Sequence, residues 1–139
     1  MNPTFFTDRD LGKRFAGILA AGGLKVERHA DHFAPACPDE EWLKAIGERG
    51  WIAITHDGRI RYKPNELAAV VRHRVSLLVV IGNAPYPVLA EHFVRTFPKI
   101  SAFLAVHKPP FIAKVYRPTP SVLVRNPDAS GDISLWYPQ

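Results

Sequence analysis

The sequence predicts an α/β fold, a three-layer α/β/α arrangement around a mainly parallel central sheet of about five strands. Three observations carry that prediction. Short β-prone runs alternate with amphipathic helical stretches over residues 1–117, the sequence form of repeated right-handed crossovers. Two of the runs, "WIAIT" (51–55) and "VSLLVVIG" (75–82), are apolar almost throughout, as expected of strands covered on both faces. The composition, 47% hydrophobic and 22% charged over 139 residues, supplies apolar surface for one core and is short for two.

The elements follow in order. Pro3–Thr7 is short and β-prone, and from Leu11 the apolar positions Leu11, Phe15, Ile18 and Leu19 recur at helical spacing until Gly22-Gly23 stops them. "LKVERH" (24–29) is a second short strand, followed by the loop "ADHFAPACP" and a helix opening at Pro38-Asp39. Proline in a first turn, with Asp39, Glu40 and Glu41 beside it, suits the positive end of a helix dipole. That helix ends at Gly50, "WIAIT" is the third strand, "PNELAAVVRHR" (64–74) a third helix and "VSLLVVIG" the fourth strand. Val88–His107 is helical, with Leu89, Phe93, Phe97, Ile100 and Phe103 on one side, and Pro98 is expected to kink it or divide it in two. "PFIAKVYRP" (110–118) is the fifth strand. After Arg117 the chain turns Pro-rich, with β-prone runs at Val122–Arg125 and Ile133–Tyr137 around "NPDASGD". A terminal hairpin or docked tail over 118–139 is expected, appended to a domain over 1–117.

Composition narrows the function classes. One cysteine, Cys37, makes no internal disulfide, and Asp8, Arg9 and Asp10 interrupt the N-terminal stretch where a secretory peptide needs an apolar run; a cytoplasmic protein is expected. The longest apolar run, Val75–Gly82, is far below the roughly 20 residues that cross a bilayer. The net charge of +5 favours anionic partners. Its distribution is more informative: Met1–Asp57 holds 7 Lys+Arg against 9 Asp+Glu, a charge of −2, whereas residues 58–139 hold 11 against 4, a charge of +7. An acidic pocket beside a basic surface gives such a split.

In an open α/β sheet, ligands sit beyond the carboxyl ends of the strands, where the strand order reverses. Asp8 ends the first strand, Asp57 ends the third and Asp39 opens the helix after the second, so all three can face one cleft. Carboxylates gathered in that way repel one another unless a hard divalent cation such as Mg²⁺ or Mn²⁺ lies among them. Asp10, just before the first helix, is expected to be an N-cap instead. His29 and His32 lie in a loop with no further ligand at zinc-like spacing.

"FFTDRDLG", "PDEEWLKAIGERG" and "WIAITHD" together resemble the PIN-like nucleases, the group that includes compact VapC-type toxins: a strand ending in Asp, an Asp opening a helix, then a strand ending Thr-x-Asp. The resemblance covers about Thr4–Arg61. It implies that Asp8, Asp39 and Asp57 are catalytic and metal-binding, that Thr55 matches the hydroxyl preceding the last acid, and that Mg²⁺ or Mn²⁺ supports hydrolysis of RNA. Arg59, Arg61 and Lys63, following the last acid, are placed to meet the substrate backbone. Where family members commonly carry another Asp two residues after the last acid, Arg59 stands here. The resemblance also implies a small antitoxin protein as partner, with Trp136 and Tyr137 available to it or to a homodimer. Two alternatives remain open: a non-catalytic PIN-fold module that binds RNA or protein, and a haloacid-dehalogenase-like phosphatase using Asp8 as nucleophile and Asp10 as acid/base.

Overall fold

Alternation along the strands decides which side chains meet which layer. The computed structural model describes residues 2–138, and its sheet has six strands: β1 (Thr4–Thr7), β2 (Lys25–Arg28), β3 (Ile52–Thr55), β4 (Ser76–Ile81), β5 (Phe111–Tyr116) and β6 (Asp132–Tyr137). Their order is β2-β1-β3-β4-β5-β6, with the first five parallel and β6 antiparallel to β5. Phe5, Ile54, Leu78, Val80, Ala113 and Val115 point to one face. Phe6, Ala53, Leu77, Val79 and Ile112 point to the other. Neither face is left to solvent, which is why β4 reads as a continuous apolar run.

Helices α1 (Gly12–Ala21) and α4 (Tyr86–Val106) cover the first face, burying Phe15 and Leu19 with Leu89, Phe93 and Ile100. Helices α2 (Asp39–Arg49) and α3 (Pro64–Arg72) cover the second, burying Trp42, Leu43, Ile46, Ala69 and Val70. The result is the three-layer α/β/α fold expected from the sequence. Gly50 ends α2 in the left-handed conformation at φ 69°, which a glycine adopts without steric cost.

The structure changes or narrows three expectations. Pro98 does not divide α4, which runs unbroken through it. The missing donor costs about 3 kcal/mol, whereas each large side chain that α4 buries contributes roughly 1.5–3 kcal/mol. Val122–Arg125 is no strand but part of a short helix, α5 (Pro120–Arg125), so no terminal hairpin forms. The docked tail, the other form expected, is what occurs: β6 joins the edge of the main sheet as its sixth strand. Its approach is fixed at Gly131, whose N–H donates to Thr96 Oγ1 at 2.8 Å and whose carbonyl accepts from Lys99 Nζ at 2.8 Å. A Cβ at Gly131 would collide with the Tyr116 carbonyl. The third correction concerns Asp10, described with the site.

Candidate active site

The strand order places a crevice where ligands are expected. β1 sends the chain outward to β2, and β3 returns to the other side of β1, so the carboxyl ends of β1 and β3 flank the point where the winding reverses. The Asp8 N–H donates to the Ile54 carbonyl at 2.9 Å, locking the two strand ends together. Asp8, Asp10, His29, Asp39 and Asp57 line one cleft of about 320 Å³ there.

Thr55 organises the acids. It is fully buried, and its hydroxyl lies 3.0 Å from Asp8 Oδ2 and 3.4 Å from Asp10 Oδ2. One hydroxyl hydrogen serves one carboxylate at a time, so the pair shares it. Thr55 Oγ1 also accepts from the Asp57 N–H at 3.1 Å. Burial, then the charge of Asp10, pushes the Asp8 carboxyl up from 3.8 to about 6. Asp10 is more open to solvent, yet partial desolvation raises it too, against the opposing hydrogen bond from the His56 N–H at 3.2 Å.

Asp10 is therefore not the cap of the first helix. The residue preceding α1 is Leu11, with no side-chain cap, while Asp8 accepts from the Arg9 N–H at 2.7 Å and caps the single 3-10 turn Arg9–Leu11. That turn occupies the residues where a direct strand-to-helix junction was expected, and it swings Asp10 back over the end of β3.

Asp57, whose charge also raises Asp10, has basic partners of its own. Its Oδ1 accepts from Arg59 N–H and Nε at 3.0 and 3.1 Å, and its Oδ2 from Lys63 Nζ at 3.2 Å. Although burial alone would raise it, the Arg59 and Lys63 bonds hold Asp57 below the usual carboxylate value. Asp39, in the first turn of α2, accepts from Trp42 Nε1 at 2.9 Å through Oδ1, which fixes its rotamer toward the cleft. Arg61 turns away to the Trp136 carbonyl at 3.5 Å.

Sequence reasoning passed over two groups beside the cleft. His29 is 2% exposed against Phe6, Phe33 and Trp42, with Nδ1 unpartnered and its pKa lowered by burial and then by Arg9. Tyr86, at the start of α4, stacks edge-on to His56 at 5.4 Å and is raised by burial and then by Asp10. The signal for Tyr86 was its place after β4, another carboxyl end; nothing in the local pattern around His29 distinguished it from His32, which bonds Glu27 at 2.7 Å.

The donor set consists of hard carboxylate oxygens; Asp8 is largely and Asp10 partly desolvated, and neither has a cation partner among the described residues, which suits Mg²⁺ or Mn²⁺. Among the described residues, no three histidine, cysteine or carboxylate side chains already converge as a metal-holding group; Asp57 is held back by its own basic neighbours.

Fold and cleft together define a three-layer α/β/α domain with acids gathered at the topological switch point. The chain belongs to the PIN-like domain family, whose model matches residues 3–82, more than half of the chain. Domains of this family are generally nucleases and typically use divalent metals. No curated protein and no solved structure matches the chain. Among the described residues, no helix is long and apolar enough to cross a membrane.

Proposed function

We propose that the protein is a Mg²⁺- or Mn²⁺-dependent endoribonuclease and the toxin of a toxin–antitoxin pair. The observation that carries the nuclease reading is the Asp8–Asp10 pair, partly desolvated, sharing one hydroxyl, and lining the same cleft as Asp39 and Asp57. Asp8, Asp10 and Asp57 would hold the metal, which when bound supplies acidification of water and neutralisation of charge on phosphate oxygens. Asp39, its Oδ1 occupied by Trp42, keeps Oδ2 to orient the attacking water. Thr55 positions the acids from beneath rather than touching substrate. The Arg59 side chain is 82% exposed and exchanges Asp57 for a substrate phosphate; Lys63 does the same from the other oxygen. That exchange frees Asp57 to join Asp8 and Asp10. The antitoxin is a small protein covering the acidic cleft, and the protein acts in the cytoplasm on RNA, alone or as a homodimer. Residues 118–138 belong to the same folding unit as 2–117.

Purified protein is expected to cleave single-stranded RNA with Mn²⁺ or Mg²⁺, to stop on chelation, and to lose cleavage in Asp8→Asn and Asp57→Asn while remaining folded. Cleavage that survives both substitutions, or that needs no divalent ion, overturns the assignment. The neutralisation of Asp57 by Arg59 and Lys63 favours a second reading, a non-catalytic RNA-binding module. Its signature is salt-sensitive RNA binding with no cleavage across a broad panel of ions.

A further inference from the structure

The 3-10 segment Gly58–Tyr62 begins beside Asp57 and ends against β6, and it gathers cations and aromatic rings in alternation. The Arg61 guanidinium carbon lies 5.4 Å from the Tyr62 ring centroid, 5.6 Å from Trp136 and 5.4 Å from Tyr137. Lys114 Nζ lies 4.1 Å above the Trp136 ring, and Tyr62 meets Trp136 edge-to-face at 5.7 Å. Packing accounts for part of this, since Trp136 and Tyr137 lean on the core. It does not account for Tyr62, which is 68% exposed, nor for four cations, Arg59, Arg61, Lys63 and Lys114, whose one carboxylate partner among the described residues is Asp57. Lys114, Trp136 and Tyr137 also lie outside the family-matched residues 3–82.

We infer that this face is a base-stacking track built by the C-terminal strand, which takes an unpaired nucleic-acid strand onward from the acidic cleft. Phosphates supply the anions that the surplus cations lack, and a base supplies a π-face for the exposed Tyr62 ring beside the half-buried Trp136. A duplex keeps its base faces stacked internally and offers only its backbone and base edges. The inference rests on the ribonuclease reading for where the strand starts, but the track binds with or without chemistry. Its consequence is a length requirement: a strand that reaches only the acids gains nothing from Tyr62 and Trp136.

The test is fluorescence anisotropy with labelled oligouridylates of about four and about twelve nucleotides, in chelator so that nothing is cleaved. The wild-type protein is expected to bind the longer strand more tightly. Tyr62→Ala and Lys114→Gln each weaken the longer strand about tenfold and leave the shorter one unchanged; Tyr62 is exposed enough that its variant keeps the melting temperature. Unchanged affinity of both variants for the longer strand, or equal competition by an RNA duplex, overturns the track. If the length effect and its loss are found in a protein that never cleaves RNA, the ribonuclease reading fails and the track stands. If the protein cleaves RNA but the variants bind as wild type, the track fails and the ribonuclease reading stands.

Discussion

Asp8 places a charge where the fold gives it little compensation. Its carboxyl is raised to about 6 by burial and then by Asp10, so between pH 3.8 and about 6 the folded state holds a proton that the unfolded state has released. Stability therefore falls as pH rises through that window, and the ionised carboxylate costs on the order of 3 kcal/mol above it. Asp8→Asn is expected to raise the melting temperature of the metal-free protein at pH 7.5 and to flatten the slope between pH 4 and 6, while abolishing cleavage. A lower melting temperature at pH 7.5 would contradict this. Asp57 has the opposite sign: lowered by Arg59 and Lys63, it contributes stability above the usual carboxylate value that is lost as pH falls below it. Lys63→Gln is expected to cost less than about 1 kcal/mol, because the pair is partly exposed. Asp8 and Asp57 were legible because each ends an apolar strand. Asp10 was misread because a residue two positions before a helix looks like a cap, and no sequence pattern announces a single 3-10 turn.

At the scale of elements, the five parallel strands and four long helices followed from periodicity, because tertiary packing agrees with local pattern there. The C-terminal stretch did not follow. Val122–Arg125 holds two β-branched residues, Val122 and Val124, but a strand preference needs a pleated neighbour to pack on, and the one open edge of β5 is taken by β6. With Pro120 in its first turn, the segment closes a short helix instead. The same reasoning locates what holds β6. Thr96 Oγ1 donates to the His92 carbonyl at 2.7 Å and accepts from Gly131 N–H at 2.8 Å, both buried. Thr96→Val keeps the volume and leaves that N–H without a partner, a loss of about 1–3 kcal/mol. Amide exchange is expected to accelerate first across β6, and uniform acceleration through β1 and β3 as well would show that β6 does not loosen separately.

Across the whole molecule, the charge split seen in the sequence becomes a surface in which acids collect at one crevice and cations run from its rim toward β6. The split could be counted from the sequence, but the contact of Arg59 and Lys63 with Asp57 could not, because it depends on how the 3-10 segment folds back. A cleft that repels itself when empty has a thermodynamic signature. Any cation that binds the folded state and not the unfolded chain stabilises by mass action, about 2.7 kcal/mol at one hundred times its dissociation constant. Protons compete for the same oxygens, and Asp8 is half-protonated near pH 6. Mn²⁺ is therefore expected to raise the melting temperature at pH 8 and to do so far less at pH 5, with the pH 8 shift removed in Asp8→Asn and reduced in Asp10→Asn. An equal Mn²⁺ shift at both pH values, or one that survives Asp8→Asn, would place the cation elsewhere on the surface and separate metal binding from the acids at the switch point.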